Sequence, residues 1–255
     1  MVKIVKPRAI ICDIEGTTTS TRYWGECVVP FIKYNTKQCL ENKWGTQVLM
    51  QLIDALRRST NVINAEEQTN IPPIANKTKD KESIIKSIVD NIIYQLNNKR
   101  RGKSLQHFQL YVWFYGYQTD ELKSHVFEDV SKSFNRWKKF LNIKIFTYSS
   151  SLYLSQKLLF SSTIKGNLCP LIDGYLDVET YGFKTSSESF TMIANKFDIN
   201  TKHILFISDN PQELKAAKVT GCQVLLVIRP FNKELSDEEK QGFECIKSFN
   251  EIQFN

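Results

Sequence analysis

Paired cysteines are absent from this sequence. Its six cysteines (Cys12, Cys27, Cys39, Cys169, Cys222 and Cys245) are scattered, with no Cys-x-x-Cys spacing. In a chain this long they read as reduced thiols, several of them small core hydrophobes, and not as a disulfide framework. Histidine is scarcer still. The three histidines stand far apart, which leaves no spacing for a zinc site. No window reaches the roughly 18 apolar residues that a membrane-spanning helix needs. The basic opening Met1–Arg8 runs into Ala9–Cys12, an apolar stretch far too short for the core of a secretory signal. A soluble, cytoplasmic protein with no membrane partner is expected. One dense cationic run, Lys99-Arg100-Arg101-Gly102-Lys103, adds the nucleus as a second location. As a solvated helix end the run needs no partner, and no aromatic residues interleave with it as a single-strand-binding surface would require. No nucleic-acid partner is expected.

What is present is enough for a full hydrophobic core. The chain has 255 residues, 42% of them hydrophobic and 24% charged, with a net charge of +7. A mildly basic protein attracts anions, and a small phosphorylated molecule satisfies that charge as well as a polymer does. Four short apolar runs read as buried parallel strands: Ala9–Cys12, Ile143–Tyr148, His203–Ile207 and Gln223–Ile228. Helical patterns over Leu152–Phe160, Ser186–Phe197 and Pro211–Val219 lie among the last three. The alternation predicts an α/β chain with a doubly wound parallel sheet. Between the first two strands the pattern is helical for more than a hundred residues, too long for a simple crossover. It reads as an inserted all-helical cap, residues 22–141, on a core made of residues 1–21 and 142–255. Within the cap, Ser59–Lys81 is polar, carries Pro72-Pro73 and lacks a sustained period, so a flexible loop is expected near 59–81.

Open α/β sheets bind ligands beyond the carboxyl ends of their strands. Behind the first strand come Asp13-Ile14-Glu15-Gly16-Thr17-Thr18, behind the second Ser149-Ser150-Ser151, and behind the third Ser208-Asp209-Asn210. Taken singly, these are an acidic turn, a serine-rich strand end and a helix cap. Taken in order, they bring three carboxylates and hydroxyls to one edge. Clustered carboxylates demand a cation, and an all-oxygen set suits Mg²⁺. Gly16 allows a sharp turn that aims backbone N–H groups at an anion.

These segments resemble a known family. Ile11-Cys12-Asp13-Ile14-Glu15-Gly16-Thr17-Thr18-Thr19 is similar to the first motif of the haloacid dehalogenase superfamily, in the form typical of the enolase-phosphatases of methionine salvage. Phe146–Ser150 with Gln156–Phe160 resembles the second motif. Asp173-Gly174-Tyr175 with Gly182-Phe183-Lys184 resembles the lysine motif, and Ile204–Asp209 with Arg229-Pro230 and Asn232 the last. Gly116–Lys123 is similar to the family's cap motif. The chain departs from the family at Tyr23-Trp24-Gly25-Glu26, at Ser151-Leu152 and at Asn210.

The resemblance implies a Rossmann-like haloacid dehalogenase fold and an Mg²⁺-dependent acireductone synthase. Its reaction would convert 2,3-diketo-5-methylthiopentyl 1-phosphate to 1,2-dihydroxy-3-keto-5-methylthiopentene and phosphate. Asp13 would be the nucleophile, forming an aspartyl-phosphate, and Glu15 the acid and base. Lys184 would pair with both the phosphate and Asp13. Ser149 and Ser150 would bind substrate. One Mg²⁺ per chain would be held by Asp13, Asp209 and the Glu15 carbonyl. Glu213 stands where relatives keep a further acid. Glu121 and Lys123 are candidates for the enolisation step. The expected chain is a monomer acting on a small phosphorylated substrate. The alternatives are a sibling phosphatase for another small phosphorylated metabolite and a response-regulator-like switch, the latter about half this length and without a cap.

Overall fold

The computed structural model describes residues 1–255. Their contacts divide the chain into two compact units, residues 1–23 with 124–255, and residues 24–123.

The first unit is built on a six-stranded parallel sheet in the order β4-β3-β2-β5-β6-β7. Its strands are β2 (Ala9–Cys12), β3 (Lys144–Ser149), β4 (Gly174–Asp177), β5 (Ile204–Ser208), β6 (Gln223–Val227) and β7 (Cys245–Ile246). A separate parallel pair joins β1 (Val2–Ile4) to β8 (Ile252–Phe254). Strand β2 is buried along its whole length, and so is β5. Burial on both faces explains why they read as unbroken apolar runs and not as alternating ones. The helices of this unit are α5 (Glu128–Asn135), α6 (Tyr153–Ser161), α7 (Val178–Tyr181), α8 (Ser187–Lys196), α9 (Pro211–Val219) and α10 (Asp237–Lys240). Helix α9 starts where expected. The Asn210 side chain accepts from Gln212 N–H and Pro211 occupies the first turn, which needs no donor there. The core packs Ile11, Phe146, Tyr148, Phe190, Phe206 and Leu226 against the helices.

The second unit is all helical: α1 (Val29–Lys43), α2 (Gln47–Glu66), α3 (Lys81–Asn97) and α4 (Lys103–Gln118). Helix α1 packs on α3 and α4, and α2 packs on α4. Gly116 is required at the α1–α4 approach, because a Cβ there would stand 2.5 Å from the Phe31 ring. No helix in the chain is long and apolar enough to cross a membrane.

Two expectations are corrected. The helical unit ends at Lys123 and not at 141. Helix α5 and the turn after it carry Phe134 and Trp137, which pack on Phe160 and Phe249 of the sheet unit, and Ser124 N–H donates to Ser162 O. Helical periodicity does not say which core a helix face buries against. The expected loop near 59–81 is in part helix: α2 continues to Glu66, with Thr60 buried in line with Leu49, Ile53 and Leu56. The rest is pinned by polar side chains. Asn64 bonds both the N–H and the C=O of Ile71, Arg57 donates to Ala75 O, and the buried Asn91 donates to Pro72 O at 2.7 Å. Ile71 and Ile74 are buried. The basic run at 99–103 spans the α3–α4 connection and the first residue of α4, and within it Arg100 pairs with Glu67 at 3.0 Å.

Candidate active site

Strand order reverses at β2, since β3 lies on one side of it and β5 on the other. A doubly wound sheet opens its ligand crevice at such a point. The register aligns Cys12 with Thr147 and with Ile207, so Asp13, Ser149 and Ser208 all come at the carboxyl edge of adjacent strands. Asp13 N–H still bonds Ile207 O at 2.9 Å, which holds the residue in line with the sheet.

Beyond Asp13 the chain turns back on itself. Ile14 O accepts from the N–H groups of Thr17, Thr18 and Thr19, and Gly16 N–H bonds Thr19 O at 2.7 Å. Gly16 has φ +80°, and a Cβ there would stand 2.2 Å from Asp209 Oδ2. Only glycine lets this backbone turn and lie against that carboxylate.

Lys184 reaches the same place from the α7–α8 connection. Gly182 turns the chain with φ +87°. Its carbonyl accepts from Tyr148 Oη at 2.6 Å, and Phe183 O accepts from Ser189 Oγ at 2.8 Å. So held, Lys184 Nζ lies 2.5 Å from Asp13 Oδ1 and 3.0 Å from Glu213 Oε1. Glu213, on the first turn of α9, also accepts from Ser208 Oγ at 2.8 Å. One ammonium thus faces Asp13 and Glu213, with Asp209 close enough to feel its charge.

Crowding sets the electrostatics. Burial, then the charges of Asp13 and Glu213, push the Asp209 carboxyl up to about 7, against the opposing pull of Lys184. Glu213 is raised by burial and by Asp13. Burial alone would lower the Lys184 ammonium, but Asp13 and Glu213 outweigh it and the net shift is upward. Such crowded carboxylates suit a divalent cation. No three His, Cys, Asp or Glu side chains gather as a metal cluster, so the fit to Mg²⁺ rests on two carboxylates and main-chain oxygen. The buried, unpaired Asn232 Oδ1 lies beside the Gly16 turn and Asp209. The donor set is all oxygen, as Mg²⁺ prefers.

The other expected residues make no bond to Lys184 in the contacts described. Ser149 is buried at the end of β3, its Oγ accepting from Ser151 N–H at 3.1 Å. Glu15 and Ser150 are exposed. In the helical unit, Glu121 is exposed, and Lys123 pairs with Asp120 at 2.5 Å. Sequence motifs alone gave no role to Asn232, which donates from Nδ2 to Gly16 O at 2.9 Å although 216 positions away. A signal for it does exist, since Asn232 lies past the carboxyl end of β6 as Asp13, Ser150 and Asp209 lie past β2, β3 and β5.

Known proteins resemble this chain along most of its length. The haloacid dehalogenase-like hydrolase family matches residues 7–221. An enolase-phosphatase E1 of Anopheles gambiae is 36% identical, over 98% of this chain and 84% of that protein. One of Xenopus tropicalis is 34% identical, over 96% of this chain and 94% of that protein. The crystal structure of the UTR4 protein of Saccharomyces cerevisiae, 25% identical, superposes with a TM-score of 0.71 over 96% of this chain and all of that one. The chain belongs to the haloacid dehalogenase-like hydrolases and, within them, to the enolase-phosphatase E1 family.

Proposed function

We propose that the chain is an acireductone synthase that converts 2,3-diketo-5-methylthiopentyl 1-phosphate to 1,2-dihydroxy-3-keto-5-methylthiopentene and phosphate. The observation that carries this is Asp13 held at 2.5 Å by Lys184, with Asp209 against the Gly16 turn, in a chain matched along nearly its whole length by enolase-phosphatases.

In this reading an Asp13 carboxylate oxygen attacks phosphorus and the bond from phosphorus to the substrate oxygen breaks. Glu15, on the exposed side of the turn, gives its proton to that departing enol oxygen. It then takes a proton from the water that hydrolyses the aspartyl-phosphate, so phosphate leaves and Asp13 is restored. Lys184 offsets charge on the phosphoryl oxygens, and Ser149 and Ser150 hold substrate oxygens. Mg²⁺, one per chain, held by Asp13, Asp209 and the Glu15 carbonyl, would supply further neutralisation of that charge. The helical unit is the cap, and Glu121 and Lys123 on it place the groups for enolisation. The enzyme acts as a monomer in the cytoplasm, and the basic run at 99–103 supports a nuclear location as well.

Phosphate release should be measured with the diketo phosphate, sugar phosphates and an aryl phosphate, each with Mg²⁺. The diketo phosphate is expected to turn over fastest, and Asp13→Asn to lose several orders of magnitude while keeping its fold, since Lys184 retains Glu213. A sugar phosphate turned over faster would assign the chain to the sibling phosphatases. Release by Asp13→Asn within tenfold of the parent would exclude the covalent route.

A further inference from the structure

The segment after β6 grips the turn beyond the nucleophile. Arg229 Nε donates to Thr17 O at 3.0 Å, Thr21 Oγ1 donates to Phe231 O at 3.0 Å, and the Arg22 guanidinium stacks 3.8 Å over the Phe231 ring. Phe231 itself has φ +70°. A bulky residue rarely adopts that conformation, and such strain persists only where surrounding contacts impose it. The consequence is the aim of Asn232. Its Nδ2 must face Gly16 O, because a carbonyl can only accept, and this turns its Oδ1 the other way.

That Oδ1 is buried with no hydrogen-bond partner in the protein. It lies 3.1 Å from the point where a Gly16 Cβ would stand, and Asp209 Oδ2 lies 2.2 Å from the same point. A buried acceptor without a donor is costly, and a carboxylate that holds a cation is ionised and has no proton to give. The donor has to come from outside the chain. Mg²⁺ sheds its waters reluctantly, so a cation on Asp209 carries O–H groups into this neighbourhood.

We infer that Asn232 is a positioning residue of the metal site, its Nδ2 fixing the Gly16 carbonyl and its Oδ1 accepting a hydrogen bond from a water of the cation bound at Asp209. The inference rests on the reading of Asp13 and Asp209 as metal ligands, and deepens it. It gives one side chain two tasks, shaping the turn and orienting the hydration shell.

The test is calorimetric titration of Mg²⁺ into metal-free protein, for the parent, Asn232→Ala, Asn232→Asp and Asp209→Asn, with melting in EDTA as the measure of folding. Partners in a metal's outer shell are worth about 10–100-fold in affinity. Asn232→Ala should weaken Mg²⁺ binding by about that factor while its metal-free melting stays near the parent's. Asn232→Asp restores an acceptor without a donor for Gly16 O, and should recover binding at least in part. Mg²⁺ affinity of Asn232→Ala within twofold of the parent overturns the inference. So does an Asn232→Asp variant as weak as Asn232→Ala, which would leave the amide serving the Gly16 carbonyl alone. If Asp209→Asn binds Mg²⁺ as the parent does, the metal placement itself is wrong, a failure distinct from either of these.

Discussion

At the scale of single residues, Gly16 and His125 make separable demands. Gly16→Ala meets two obstacles, a φ of +80° and a methyl 2.2 Å from Asp209 Oδ2. The left-handed conformation alone costs on the order of 1–3 kcal/mol. The clash falls on the carboxylate assigned to Mg²⁺ in the proposed reaction. Expected is a folded protein with a modest loss of melting temperature and at least a hundredfold loss of kcat, read from phosphate release beside a thermal melt. Near-parental turnover would mean that Asp209 has no fixed place in the reaction. His125 concerns stability. Its Nδ1 accepts from Ser20 N–H at 3.1 Å, and burial, then the Arg229 charge, hold the imidazole below its ordinary range. With the folded value depressed, the unfolded chain binds the proton more readily. The stability this contributes is complete above about pH 6.5, and it is lost as pH falls from there through the folded value. His125→Asn keeps an acceptor for Ser20 N–H and removes the titration, so its melting temperature should fall less between pH 7 and pH 5. Parallel melting curves for the two proteins would remove His125 from the account.

At the scale of elements, one buried ion pair ties three chain segments together. Arg229, after β6, makes two parallel bonds of 3.0 and 2.9 Å to Asp129 on α5. Asp129 also accepts from Ser248 Oγ and Phe249 N–H near the carboxyl end of the chain. The guanidinium sits over Phe127 and Phe249, at 4.4 and 4.8 Å from their ring centres. Removing one partner strands a buried charge, which costs about 3–5 kcal/mol, whereas replacing both by apolar residues costs far less. Arg229→Met should therefore destabilise the protein by about that amount in denaturant titration, and Arg229→Met with Asp129→Leu should recover most of it. A double variant no more stable than the single one would show that the Arg229 bond to Thr17 O matters more than the pair. This pair also accounts for the misplaced boundary of the helical unit. The pattern of α5 is amphipathic in either assignment, and only a residue a hundred positions away decides which core receives Asp129.

At the scale of the whole molecule, the two units separate the two chemistries of the proposed reaction. The residues proposed for phosphoryl transfer, Asp13, Glu15, Lys184 and Asp209, are all in the sheet unit, while Glu121 and Lys123 belong to the helical one. An exposed pair such as Lys123 with Asp120 contributes about 0–1 kcal/mol, so its loss should not unfold the protein. Glu121→Gln and Lys123→Met should depress turnover of the diketo phosphate much more than that of an aryl phosphate. Equal losses on both substrates would withdraw the enolisation role. Exhaustive treatment with EDTA should abolish both activities, and Mg²⁺ should restore them. Activity that survives the chelator would count against the carboxylate edge as a metal site.

The sequence by itself determined the strands β2, β3, β5 and β6, because β2 and β5 are buried throughout and β3 and β6 over most of their length, which leaves short, largely apolar runs that can be read locally. It also placed Asp13, Ser149 and Asp209 behind their strands, while Lys184 was pointed to only by the resemblance of its segment to the family's lysine motif. It did not show β4 or β7, which have four and two residues and owe their pairing to neighbours already in place. Nor did it show that the polar stretch after α2 is pinned by Asn64, Arg57 and Asn91, since a polar residue reads alike whether it faces water or a backbone carbonyl. The contacts of Lys184 with Asp13 and of Asn232 with Gly16 join residues 171 and 216 positions apart. Tertiary structure alone decides such contacts, because they depend on where the sheet brings its edges together and not on any property of the segments that carry them.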